Sequence, residues 1–173
     1  MMAANIAPGM NRSFTAEKWT NFVGRKYWYG AIDEANDLVD DQIETDIQGY
    51  DIDPEALKSA RANAKMAGVD KLIHFQQRAV KDLSHPKPYG FIITNPPYGE
   101  RLEEKEALPQ LYREIGERYN RLDKWSMYLI TSYEKAENDI GRKADKNRKI
   151  YNGMLKTYYY QFLGPRPPKK NRN

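Results

Sequence analysis

The hydrophobic positions along this chain change period several times, and each change marks an element. Over residues 28 to 45 the apolar side chains Ala31, Ile32, Ala35, Leu38, Val39 and Ile43 recur at steps of three and four, with carboxylates between them. That spacing predicts an amphipathic helix with its apolar residues on one face. Residues 47 to 52 (Ile-Gln-Gly-Tyr-Asp-Ile) read as a strand ending in an acid. Asp53-Pro54 then supplies a cap and a first-turn proline, and Ala56, Leu57, Ala60, Ala64 and Ala67 trace a helix that ends at Gly68. Strands are expected over 72 to 76, 89 to 94 and 125 to 131, and an antiparallel pair over 151 to 163. Helices are expected over 108 to 122, through Leu111, Ile115, Tyr119 and Leu122, and over 133 to 141. A shorter one over 13 to 19 has Ser13 at its N-cap and Glu17 in its first turns. The alternation of strand and helix predicts an α/β fold.

The stretch Phe91-Ile92-Ile93-Thr94-Asn95-Pro96-Pro97-Tyr98-Gly99-Glu100-Arg101 carries the chemistry. Its apolar run is expected to be a strand buried on both faces, and Pro96, which lacks an N–H, ends the ladder so that Asn95 falls at the strand's carboxyl end. In open α/β sheets that end is where ligands bind. A nucleobase amine is a poor nucleophile because its lone pair is delocalised into the ring. The side-chain amide of Asn95 and the carbonyl of Pro96 are suited to accept its two N–H bonds and aim the nitrogen at an electrophile. Pro97 stiffens the turn, and Tyr98 is placed to stack on a base taken out of its helix. Positioning without a strong base would then supply most of the rate.

Composition narrows the setting. At 173 residues the chain is the length of one domain, with 40% apolar residues to build a core. With no cysteine and two histidines, His74 and His85, it has neither a disulfide scaffold nor thiolate or histidine-rich metal ligation, so no metal is expected. No apolar stretch is long enough to span a bilayer and no secretory leader opens the chain, so a soluble protein of the cytoplasm is expected. The net charge of +4 is unevenly spread. Asp33, Glu34, Asp37, Asp40, Asp41, Glu44 and Asp46 form an acidic run, whereas Arg142, Lys143, Lys146, Arg148 and Lys149 crowd one later segment and are candidates for RNA contact. Residues 165 to 173 are expected to form a basic disordered tail after a domain spanning 1 to 164.

Asn95-Pro96-Pro97-Tyr98 resembles motif IV of the class I amino-methyltransferases, which use S-adenosylmethionine. The flanks are more specific. With Gly99-Glu100-Arg101-Leu102 behind the motif, Asn5-Ile6-Ala7-Pro8-Gly9 and Arg12-Ser13-Phe14 upstream and Asn152-Gly153 near the end, nearly the whole chain to about residue 164 is similar to the methylase domain of the 23S rRNA guanine-N2-methyltransferases, which often carry a THUMP domain in front. The resemblance implies a Rossmann-like sheet, S-adenosylmethionine as cofactor and 23S rRNA as partner. It implies that Asp51 holds the cofactor ribose, that Ile52 packs on the adenine, and that backbone groups of Arg78 and Ala79 read the adenine edge, beside Asn95 at the reacting end. Ala79 stands where the family often has an acid, with Asp82 as a nearby substitute.

The glycine-rich turn after the family's first strand is not found. Gly9, Gly24 and Gly30 have no strand before them and read as turn residues. The expectation is a domain lacking its first strand and glycine-rich loop, completed by a missing methylase or THUMP segment. Other readings stay open: the motif also occurs in adenine-N6 and protein-glutamine methyltransferases, and an inactive RNA-binding fragment would keep the basic segment and Tyr158-Tyr159-Tyr160.

Overall fold

The fold is described from a computed structural model, covering residues 1–10, 12–99 and 102–168, with backbone only for 102–104 and 152. The chain divides into two compact units, Met1–Arg78 and Ala79–Asn173. Among the described residues the strands form two sheets.

The first unit contains a short 3-10 turn at Thr15–Lys18, helix α1 at Arg25–Asp37, strand β1 at Ile47–Asp51, helix α2 at Pro54–Met66 and strand β2 at Ile73–Gln77. β1 and β2 pair in parallel from Ile47 opposite Ile73 to Asp51 opposite Gln77. As expected, Asp53 caps α2 by accepting from the Glu55 N–H at 2.9 Å, ahead of Pro54 at the first helical position. α2 buries Leu57 and Ala64, and Val69 is buried in the turn after it.

Three expectations for this unit are corrected. The segment from Ser13 makes only a 3-10 turn, entered from Phe14, whose N–H donates to Glu17 at 2.7 Å. α1 begins earlier and stops at Asp37, and it buries no residue completely. Leu38, Val39 and Ile43 continue its period but lie outside it, because the Asn5 side chain donates to the Leu38 carbonyl at 2.9 Å and the Asp40 N–H donates to Ala4 at 3.0 Å. Gly30 is a residue of α1 and no turn residue.

The second unit holds β3 at Phe91–Thr94, helix α3 at Leu102–Arg121, β4 at Ser126–Thr131, helix α4 at Ala136–Ile140, β5 at Lys146–Asn152 and β6 at Leu155–Phe162. The strand order is β3-β4-β6-β5, with β3 parallel to β4 and the last two strands antiparallel. Alternation sends Met127, Leu129 and Thr131 of β4 to one face, where Tyr160 and Phe162 of β6 join them. α3 and α4 cover that face with Leu108, Tyr112, Ile115, Tyr119, Ala136 and Ile140.

The opposite face corrects the reading of β3 as doubly buried. Phe91 is 65% and Ile93 84% exposed, since β3 is an edge strand and, among the described residues, no helix of this unit covers that side. Phe91, Tyr128 and Tyr159 continue across it with ring centroids 6.2 Å apart at each step. α3 begins six residues before the expected start, with Pro109 inside it, and α4 is shorter than expected. β5 begins at Lys146, so most of the basic segment is an edge strand.

Candidate active site

β3 pairs with β4 as far as Thr94 opposite Leu129, and the ladder stops where Pro96 offers no N–H. Asn95 is exposed at that carboxyl end, Pro96 is buried, Pro97 is exposed and Tyr98 is half-buried. Gly99 closes the turn at φ 74 and is buried; a Cβ there would lie 2.7 Å from Leu108 Cδ1 and 3.0 Å from Lys105 Cγ. Only glycine lets the chain pass so close to α3 in this conformation. The Tyr98 hydroxyl donates to Asn95 Oδ1 at 2.6 Å. Glu100 and Arg101 of the motif, and the side chains of Leu102 and Asn152, lie outside the described residues.

Behind this turn is a polar pair that sequence reasoning missed. The Tyr112 hydroxyl on α3 lies 2.5 Å from Thr131 Oγ1, which also accepts from the Tyr133 N–H at 3.0 Å. Burial pushes the Tyr112 phenol up to about 12, partly offset by the Thr131 hydrogen bond, and the nearby Tyr98 phenol adds a smaller rise. Tyr133 is likewise pushed up to about 12, by burial first and then by its bond to Asp139. The available signal was a threonine at an inward position of β4, where a hydroxyl must find a partner.

In the first unit Asp51 ends β1 and is exposed. Its Oδ1 accepts from the Asp53 N–H at 2.9 Å, and its backbone carbonyl accepts from Arg78 N–H at 2.9 Å. The carboxylate keeps Oδ2 and remaining lone pairs for a vicinal diol, which fits a ribose. Ile52 beside it is 67% exposed, an apolar surface suited to a flat ring. Gln77 Nε2 donates to the Ile52 carbonyl at 2.9 Å and holds the turn, an interaction the sequence did not suggest. The expected use of Arg78 and Ala79 is narrowed. The Arg78 N–H is taken by Asp51, and the Ala79 carbonyl accepts from Asp82 N–H at 3.0 Å, leaving the Arg78 carbonyl and the Ala79 N–H for an adenine edge. The Arg78 guanidinium lies 4.8 Å above the Tyr50 ring. An open depression of about 390 Å³ in this unit, lined by Arg61, Lys65, Asp70, Ile73, His74 and Phe75, includes none of these residues.

The basic segment is also sorted by the structure. Arg142 is an internal brace, donating to the Tyr119 hydroxyl at 2.8 Å, to Asp145 at 3.0 Å and to the Leu163 carbonyl at 3.1 Å. Lys143, Lys146, Arg148 and Lys149 are exposed and make no ion pair among the described residues.

Residues 1–161 match the family described as UPF0020, the RMKL-like methyltransferase domain. The chain belongs to this family. It is 41% identical over 172 residues to YpsC of Bacillus subtilis strain 168, named for a proposed RNA methyltransferase activity, covering 99% of this chain and 44% of that protein. It is 36% identical over 160 residues to the ribosomal RNA large subunit methyltransferase K/L of Shewanella frigidimarina strain NCIMB 400, covering 90% of this chain and 22% of that one. Among solved structures, the candidate methyltransferase SMU.472 in complex with SAH superposes with a TM-score of 0.90 at 40% identity, covering 97% of this chain and 44% of that chain. The fold is thus that of the class I methyltransferases, whose cofactor is S-adenosylmethionine, and the Asp51 turn suits its nucleoside half. The chain spans less than half the length of these relatives.

Proposed function

We propose that this UPF0020 chain carries the base-binding and ribose-binding parts of an enzyme that methylates the exocyclic N2 amine of a guanine in 23S rRNA, in the cytoplasm. The observation that carries the reading is the exposed carboxamide of Asn95 at the end of β3, three residues before an aromatic ring on a turn anchored by buried Pro96 and Gly99. Asn95 Oδ1 and the Pro96 carbonyl accept the two N–H bonds of the amine. That arrangement turns the nitrogen lone pair out of the base plane, and Tyr98 stacks on the extruded base. Asp51 accepts the ribose hydroxyls, Ile52 lies against the adenine, and backbone groups at Arg78 and Ala79 meet its edge. Bound S-adenosylmethionine supplies a methyl group made electrophilic by the sulfonium that carries it. Orientation raises the nucleophilicity of the amine as the S–CH3 bond would break and the N–CH3 bond form, and the proton the nitrogen then loses would pass to solvent.

The unpaired cations of the β5 segment support an RNA partner, because phosphate binding requires charges not already neutralised within the protein. Two further observations support a complementary segment that supplies the glycine-rich turn and a strand. Parallel sheets are normally covered on both faces, yet among the described residues β1 and β2 pair with no other strand, and β3 leaves one edge unpaired with Phe91 and Ile93 exposed.

The test is transfer of labelled methyl from S-adenosylmethionine to unmodified 23S rRNA, run beside release factor as the competing amide substrate. Label in the rRNA is expected. Label in release factor alone would give the site to a glutamine side chain, and RNA binding without any turnover would leave only a binding fragment.

A further inference from the structure

The two functional side chains of the Asn95 turn are bonded to each other. The Tyr98 hydroxyl donates to Asn95 Oδ1 at 2.6 Å, and this is the oxygen that the proposed mechanism offers to the target amine. The turn builds the pairing: Pro96 is buried between the partners, Pro97 adds a second fixed φ, and Gly99 at φ 74 holds the far end against Leu108 and Lys105. The Tyr98 phenol also opposes ionisation of the buried Tyr112 on α3.

We propose that Tyr98 is a placeholder, its hydroxyl holding the Asn95 carboxamide oxygen in the resting site and yielding it to the incoming amine as the ring moves onto the base. The inference rests on the reading of Asn95 given above and adds a positioning role to Tyr98. An exposed carboxamide rotates and presents its oxygen or its NH₂ group with little preference. A phenol donor selects the oxygen, so the acceptor is aimed before the base arrives. The exchange replaces one neutral hydrogen bond with another and costs little when the ligand brings an N–H. A ligand that stacks but offers no donor at that point leaves the phenol and the amide competing for nothing new, and does not complete the exchange. Base stacking and release of the acceptor thereby become one motion.

Tyr98→Phe keeps the ring and removes the hydroxyl. In a preparation that transfers methyl to unmodified 23S rRNA, KM for the RNA is expected to rise about two- to tenfold, the equivalent of one neutral hydrogen bond that no longer aims the acceptor, with the effect in KM rather than in kcat. In the 173-residue chain itself, isotope-labelled NMR is expected to show the Asn95 side-chain carbonyl signal displaced between wild type and Tyr98→Phe. Where there is no turnover, that comparison alone decides. Identical Asn95 carbonyl signals overturn the inference, as does an unchanged or lowered KM. A fall in kcat at constant KM overturns it too, since the hydroxyl would then act in the transfer. Asn95→Ala in parallel separates the two layers: retained turnover there defeats the mechanism itself, whatever Tyr98→Phe does.

Discussion

At the scale of single residues, four positions of one turn carry different physical duties. Asn95 is exposed and in the proposed mechanism supplies the acceptor, Pro96 is buried and ends the strand, Tyr98 is proposed to supply the stacking ring, and Gly99 adopts a backbone angle that side chains resist. Asn95→Ala is expected to lower kcat at least about a hundredfold, in the range seen when one preorganised polar partner is removed from a reacting centre, with cofactor affinity unchanged by isothermal titration of the complete protein. Tyr98→Ala is expected to be impaired more than Tyr98→Phe, because stacking needs the ring; equal activity of the two would remove the stacking role. Gly99→Ala forces an L residue to φ 74 with its Cβ 2.7 Å from Leu108. A loss of roughly 1–3 kcal/mol in urea unfolding is expected. The spacing of Asn95 and Tyr98 was legible in sequence because it is local. Their mutual hydrogen bond was not, since it depends on how the two prolines and Gly99 set the side-chain directions. Tyr112 and Thr131 were missed for a similar reason, being 19 residues apart and joined only by packing.

At the scale of elements, the sequence was most readable where a period coincided with a breaker. α2 was located by Asp53-Pro54 at one end and Gly68 at the other. β3 was located by its apolar run and Pro96, but its exposure was not, because burial depends on which strands and helices lie alongside. α1 was overextended because Leu38, Val39 and Ile43 keep the helical period, while the hydrogen bond that ends it comes from Asn5, 33 residues away. β5 had no alternating pattern to detect, since both of its faces are exposed and charged. That strand yields a prediction that separates binding from folding. Replacing Lys146 or Arg148 by Ala is expected to reduce the salt slope of RNA binding by about 0.7 to 0.9 for each phosphate left without its cation, with stability unchanged. Arg142→Ala is expected to do the reverse, lowering stability by removing the bonds to Tyr119, Asp145 and Leu163 and leaving the slope alone. Equal slopes for all three variants and the parent protein would take RNA away from β5. A second prediction concerns α3 against β4. Tyr112 is held protonated by burial, its ordinary value near 10.0 being raised to about 12. A raised value means that the folded state keeps the proton longer than the unfolded one. The contribution is therefore complete below pH 10 and is lost as pH rises through 12. A fall of roughly 2–3 kcal/mol over that window is expected from Tyr112 in urea unfolding, and Tyr112→Phe should remove that share while Tyr133, raised by burial as well, keeps its own; an unaltered profile in that variant would contradict the assignment.

At the scale of the whole molecule, one unit has a well-developed core and the other a small one. The second unit gathers ten buried residues from α3, α4, β4 and β6, whereas in the first unit the buried hydrophobic residues are Ala4, Leu57, Ala64 and Val69. The first unit also bears the turn proposed to bind ribose, and its parallel pair of strands has no third neighbour among the described residues. The proposed complementary segment would supply that neighbour and the backbone that meets the methionine end of the cofactor. Titration of the 173-residue chain with S-adenosylmethionine is expected to show weak binding. Micromolar affinity, about −8 kcal/mol, would show the glycine-rich turn to be dispensable. Family membership was legible because the identifying residues lie in continuous motifs, Asn5 to Phe14 and Asn95 to Gly99 among them. What those upstream residues do was not: Asn5 ends α1, and Arg12 stacks 4.4 Å from the Phe14 ring.

The most direct test of the central claim is chemical. Unmodified 23S rRNA treated with the complete enzyme and S-adenosylmethionine is digested to nucleosides, and the methylated product is identified by mass spectrometry beside the Asn95→Ala reaction. The account predicts N2-methylguanosine from the parent protein and none from the variant. A methyl group on adenine or on a ribose, or N2-methylguanosine from both proteins in equal yield, would contradict it.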